Sequence, residues 1–223
     1  MASIARELAA ADSVDEVLHR TVVLGQRYLD GCDGVSVMLI RKGGRATVPA
    51  ASSDLAHDAA VAQFAADEGP CFSAIADHEP MASHDLREER RWPAYRVRAL
   101  ELGVRSLLDV RLFAREDTMG ALGCYSTAPG TFDGDAAIYA QVFASNAAVA
   151  LKAAISESGL ASALRSRDVN GQAKGVIMER EGVTAEGALE RLRQLSQDRQ
   201  QPLRDLADEI VRTGTIPAPA RDA

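Results

Sequence analysis

Aromatic residues occupy only 4% of the 223 positions. A core built on rings is therefore excluded, and Ala, Val, Leu and Ile must fill it. Cysteine is as scarce: Cys32, Cys71 and Cys124 form an odd, widely spaced set. Such a set fits neither a disulfide framework nor a zinc ribbon and points to a reducing cytoplasm. No run approaches the roughly 20 uninterrupted apolar residues of a membrane span. Arg6 and Glu7 also stand where a signal peptide would need its apolar stretch. The expectation is a cytoplasmic chain with no membrane partner. Positive charge is in deficit, with a formal net charge of −7, which argues against a general affinity for polyanions. What is present is ordinary globular usage, 47% hydrophobic and 26% charged, in a chain long enough for one or two domains.

Periodicity divides the chain in two. Ile4 to Leu29 has helical spacing, with Ser13 as a plausible N-cap. Val35 to Ile40 and Ala46 to Ala51 read as strands around a hairpin turn at Lys42-Gly43-Gly44. A helix capped by Asp54 runs to about Ala66, and Pro70 sits at the first position of another. Ala82 to Glu89 reads as a polar loop, and a short helix runs from Trp92 to near Gly103. Ser106 to Phe113 and Met119 to Ser126 are strands joined by a turn at Arg115-Glu116-Asp117. From Asp133 onward only helices are expected, so the order is segregated α+β. Ala136 to Ala154 carries two adjoining seams, Ile138/Val142/Ser145/Val149 and Tyr139/Phe143/Asn146/Ala150. Gly159 weakens that helix without having to end it. Three short amphipathic helices follow, stopped at Gly182, capped at Thr184, opened by Pro202 and stopped at Gly214. The predicted boundaries are residues 1–155, residues 156–215, and a frayed, disordered tail at 216–223.

Catalytic constellations are missing. His78 and His84 lie in an acidic loop without metal-ligand spacing, and Gly43-Gly44 lacks any phosphate-loop pattern. Cys71 follows Pro70 at a helix start, where the dipole favours a thiolate, but no partner is placed for it by pattern, so a buried apolar cysteine is the plainer reading. The more informative feature is local charge. Residues 160–223 hold 10 cationic and 10 acidic residues, and Arg165, Arg167 and Lys174 face only Asp168 in their segment. Arg167 and Lys174 are seven residues apart and share a helix face. No Phe, Tyr or Trp occurs beyond residue 159, which argues against an aromatic stacking platform for nucleic acid.

The segment from Ala163 to Arg180, with its Ala173-Lys174-Gly175 core and Met178, resembles the opening of an ANTAR domain. Ala188 to Ser196 and Leu203 to Val211 are similar to that domain's second and third helices. Upstream, Glu68-Gly69-Pro70-Cys71, Trp92-Pro93, Gly103-Val104-Arg105-Ser106 and Leu122-Gly123-Cys124-Tyr125 resemble the GAF domain of actinobacterial GAF–ANTAR transcription antiterminators. Asn170, Leu189 and Cys124 depart from the residues common in those families. The resemblance implies an α+β chain: a GAF sensor with an antiparallel sheet and flanking helices, then an all-α, three-helix ANTAR unit. It implies RNA binding without enzymatic activity, through Arg165, Arg167, Ala173, Lys174, Gly175 and Arg204. The RNA partner would be tandem hairpins, which calls for a homodimer. It leaves the cofactor and the GAF ligand open. Two other readings stand beside it: a small-molecule sensor that works through protein contacts, with the ANTAR unit as dimerisation module, and an enzyme using the GAF pocket.

Overall fold

Residues 2–41, 45–114 and 117–218 are described by a computed structural model. Two helices, α1 (Ala2–Ala9) and α2 (Val14–Tyr28), precede the first strand. The break between them is set by Ser13, whose hydroxyl accepts from Glu16 N while Glu16 Oε2 accepts from Asp12 N, a reciprocal N-terminal clasp. Strands β1 (Gly34–Ile40) and β2 (Ala46–Ala51) pair antiparallel; the expected Lys42–Gly44 turn between them lies outside the described residues. Helix α3 (Asp54–Ala66) is capped by Ser53, one residue before the expected Asp54, because the Ser53 hydroxyl accepts from Ala56 N. Helices α4 (Pro70–Asp77) and α5 (Pro93–Glu101) flank a three-residue edge strand, β3 (Met81–Ser83), which overlaps the start of the stretch read as a loop. That strand exists through pairing with β4 (Ser106–Ala114), a long-range contact that a polar segment does not advertise. Strand β5 (Asp117–Ser126) follows, and the turn expected before it falls partly on residues 115–116, outside the description.

The five strands are ordered β2-β1-β5-β4-β3, antiparallel throughout. Alternation along the strands sorts side chains to two faces. Val35, Val37, Leu108, Val110, Leu112, Leu122 and Cys124 meet α1, α2 and helix α6 (Gly134–Glu181) on one face. Leu107 and Tyr125, with Met38 and Ala121 nearby, meet α3, α4 and α5 on the other. One 18-residue window of α6 is apolar enough on average to resemble a membrane span. Its Ala140, Phe143, Ala144, Ala147 and Leu151 are buried in the sheet's first core, while Ile138, Tyr139, Val142 and Val149 are exposed.

The chain separates into two units, Met1–Ser156 and Glu157–Ala223. The first of the three short C-terminal helices is instead the end of the 48-residue α6; neither Gly159 nor Gly171 interrupts it. Gly182, at φ +66°, donates its N–H to Met178 O and ends it. Helix α7 (Ala185–Asp198) is capped by Thr184, and α8 (Leu203–Thr213) stops at Gly214, φ +65°. Ala173, Ile177, Ala188, Leu192, Leu195, Leu206, Ala207 and Ile210 form the core of this unit. Ile216 packs against it and Ala218 O accepts from Arg199, so the expected disorder does not hold for 216–218; residues 219–223 are outside the description.

Candidate functional site

In the C-terminal unit, charge pairing decides which cations are available. On α7 and α8, Arg191 pairs with Glu181 at 3.2 Å, Arg193 with Glu190 at 3.8 Å, Arg199 with Glu209 at 3.8 Å and Arg204 with Asp208 at 3.9 Å. Among the described residues no ion pair involves Arg165, Arg167, Lys174 or Arg180, all on α6. Exposed pairs are weak, but each carboxylate lowers the positive potential that an anion would meet. Among the described residues Arg212 of α8 is likewise in no ion pair, so the uncompensated cations lie mostly, but not wholly, on α6.

The six residues expected to touch RNA do not form one surface. Residues two apart on a helix are separated by about 160° around its axis, so Arg165 and Arg167 point to nearly opposite sides. Arg204 donates to Ser162 Oγ at 3.3 Å, which places it by the Arg165 side. Ala173 is 0% exposed, at the centre of the three-helix core. Its small side chain is required by helix packing, and the expectation that it contacts RNA is corrected. Arg167, Lys174 and Gly175 remain on one outward face, joined by Gly171. A Cβ added at Gly171 or Gly175 would meet nothing within 4 Å, so no packing inside the chain accounts for either glycine. Asn170, one turn from Arg167 and Lys174, keeps Oδ1 without a hydrogen-bond partner.

The N-terminal unit holds a second polar concentration, entirely buried between the sheet and α3, α4 and α5. The Cys71 thiol donates to Asp109 Oδ1 at 2.5 Å, and Cys71 N donates to Gln63 Oε1 at 2.8 Å. Gln63 Nε2 donates to Cys71 Sγ at 3.3 Å and Tyr125 Oη at 3.5 Å, and Tyr125 Oη lies 3.3 Å from Ser36 Oγ. Asp109 Oδ2 and Tyr95 Oη have no partner among the described residues. Burial pushes the Asp109 carboxyl up to about 7. Burial, then the neighbouring Asp109, holds the Cys71 thiol well above its usual range. A protonated thiol facing a carboxyl is poorly suited to nucleophilic attack. The one sequence signal for this cluster was a carboxylate inside the apolar run Leu107-Leu108-Asp109-Val110.

The motif residues of the upstream resemblance position that cluster. Glu68 Oε1 accepts from Ala94 N at 2.6 Å and Tyr95 N at 3.1 Å, capping α5 and setting Tyr95. Trp92 Nε1 donates to Ser73 Oγ at 2.9 Å, tying α5 to α4. At Gly123 a Cβ would lie 2.5 Å from Tyr125 Oη and 2.9 Å from Asp109 Oδ1, so the polar side chains occupy the space a larger residue would need. Among the described residues no group of three or more His, Cys, Asp or Glu is placed to hold a metal ion.

A family model described as GAF domain matches residues 11–152, and one described as ANTAR domain matches residues 158–211. No curated protein matches the chain. Among solved structures, the free methionine-R-sulfoxide reductase of Neisseria meningitidis, in complex with its substrate, is similar at 17% identity and a TM-score of 0.57, over 70% of this chain and 88% of that one. A domain of a putative two-component sensor histidine kinase from Sinorhizobium meliloti is similar at 18% identity and a TM-score of 0.55, over 67% and 97%. The GAF domain of the cyanobacteriochrome TePixJ follows at 20% identity and a TM-score of 0.54, over 66% and 94%. At these identities the likeness is one of fold.

Proposed function

The chain belongs to the GAF domain family and carries an ANTAR domain behind the GAF unit, and from that premise we propose that it is a cytoplasmic antitermination regulator whose ANTAR unit grips paired RNA hairpins under GAF control. ANTAR domains are RNA-binding antitermination regulators and GAF domains are sensors, an architecture of regulation rather than turnover. The observation that carries the finer reading is the face of α6 with Arg167 and Lys174, both without an ion pair, beside the bare backbone of Gly171 and Gly175. Cations on one face hold phosphates while a splayed loop base packs alongside. Two hairpins require two ANTAR units, hence a homodimer. Its seam is the outward face of α6 in the GAF unit, where Ile138, Tyr139, Val142 and Val149 are exposed. Ala150 belongs to the GAF core instead, so it does not mark a pairing surface.

Hairpin RNA titrated at several salt concentrations tests the reading. Arg167→Ala and Lys174→Ala should each weaken binding by about 1–2 kcal/mol and reduce the salt slope by about one, with unchanged helicity. Unaltered affinity and slope in both variants would overturn it. A second reading, a sensor acting through protein contacts with the ANTAR unit as dimerisation module, draws on the exposed Leu160 and Leu164 of α6. It predicts no salt-dependent hairpin binding at all.

A further inference from the structure

The three cysteines look unrelated in sequence, but the sheet brings two of them together. Val35 of β1 lies opposite Cys124 of β5. Cys32 sits just before β1, in a turn closed by its N–H to Leu29 O and anchored by Asp33 N to Tyr125 O at 2.9 Å. That turn aims the Cys32 thiol at β5, with Sγ 3.1 Å from Gly34 O and 3.7 Å from Tyr125 O. There it lies beside the residue that follows Cys124, in the core cluster shared by Cys124, Val35 and Leu108. The neighbouring Cys124 draws the Cys32 thiol below the usual range, and Cys32 with burial lifts Cys124 well above it. Cys71 is excluded from the pair by alternation: it lies with Asp109 and Tyr125, on the opposite face of the sheet from Cys124. Accessibility is unequal as well, Cys32 being 8% exposed and Cys124 0%.

We propose that Cys32 and Cys124 are a hydroperoxide-oxidisable thiol pair, Cys32 reacting first and Cys124 resolving it to an intramolecular disulfide. The Cys32 thiolate attacks the O–O bond of the peroxide, forming Cys32–SOH and releasing an alcohol, or water from hydrogen peroxide. The Cys124 sulfur then attacks Cys32 Sγ, the S–O bond breaks and water leaves. In sum two thiols lose two electrons and two protons, and the peroxide is reduced to alcohol and water. In a reducing compartment the dithiol is the resting form and the disulfide a temporary one. The site is independent of the RNA reading, since it lies wholly in the GAF unit.

The test uses the full chain, reduced, desalted and treated with hydrogen peroxide in slight excess. The expected product has lost two hydrogens, gives a Cys32–Cys124 cross-linked peptide, retains Cys71 as a free thiol and reverts with phosphine. Its melting temperature should rise by several degrees, because about 90 residues of chain are closed into a loop. Cys71→Ser should behave as the parent does, and Cys32→Ser and Cys124→Ser should each abolish the two-hydrogen loss. A cross-link involving Cys71, a link between molecules, oxygen addition without any cross-link, or no oxidation would each overturn the proposal. The peptide map of the unmutated chain decides even where a variant folds poorly.

Discussion

Replacing Asp109 with Asn tests whether the buried polar cluster of the GAF unit stores a proton. Asp109 is fully buried, and no cation pairs with it among the described residues. The groups facing it are Cys71 of α4 and Gln63 of α3, with Tyr95 of α5 and Tyr125 of β5 close by. Its carboxyl is raised from 3.8 to about 7 in the folded chain. A raised carboxyl acts opposite to a salt-bridged one. Between those two values the folded state holds a proton that the unfolded state has released, so stability falls as pH rises. The full difference is about 4 kcal/mol, and the part lost between pH 5.5 and 8.5 is about 2 kcal/mol. Asn mimics the protonated acid: its oxygen accepts from the Cys71 thiol, and its amide can donate where Oδ2 has no partner.

Urea unfolding followed by Trp92 fluorescence is the assay, because the single tryptophan sits at the α4–α5 contact. The stability of the Asp109→Asn chain relative to the parent should grow by about 2 kcal/mol between pH 5.5 and pH 8.5. Comparing the two chains at each pH removes the titration of every other group. An identical pH slope in both, or a parent whose advantage over the variant grows with pH, would refute the reasoning.

Gly175→Ala should stabilise the C-terminal unit by about 1 kcal/mol, since Gly is a poor helix former and the added methyl meets nothing. It should nevertheless weaken hairpin binding, and a titration showing equal or tighter binding would remove Gly175 from the interface. Val149→Glu places a charge at an outward position, 64% exposed. By light scattering it should convert a dimer to monomer without lowering the melting temperature of the GAF unit, whereas a parent chain already monomeric with and without RNA would sink the paired-hairpin reading. Glu68→Ala should cost about 1 kcal/mol through the lost α5 cap, measurable by urea unfolding.

Elements governed by local chemistry were legible in the sequence. Ser13, Thr184 and Gly214 act at helix ends because a hydroxyl or an unhindered backbone satisfies the terminal groups wherever the helix docks. Strands β1, β4 and β5 announced themselves through β-branched and Leu-rich runs. Hidden features depend on pairing at long range. Met81–Ser83 becomes a strand only beside β4, and Cys32 finds Cys124 only because β1 lies against β5. The continuous α6 was cut short because its middle lacks an apolar stripe, although helical geometry persists there. At the candidate interface, residue type and spacing picked out Arg167 and Lys174. Which cations were already neutralised, and that Ala173 is core, depend on where α7 and α8 pack.

The buried cluster joins a thiol to a carboxyl, so its capacity for chemistry is judged from its own groups. Fold alone carries no chemistry. Reductive attack by sulfur needs a thiolate, or a base able to make one, at a place a substrate reaches. Cys71 is the thiol nearest the cluster, and both burial and Asp109 hold it protonated. Its proton points at a carboxyl that itself prefers to keep one at neutral pH. Gln63 and Tyr125 complete the arrangement through hydrogen bonds without supplying positive charge. What the cluster does mechanically is join α3, α4, β4 and β5, while the Glu68 cap and Trp92 hold α5 to the same helices. Any change in protonation or occupancy at Asp109 must be absorbed by those contacts, because close packing leaves them little room to relax separately.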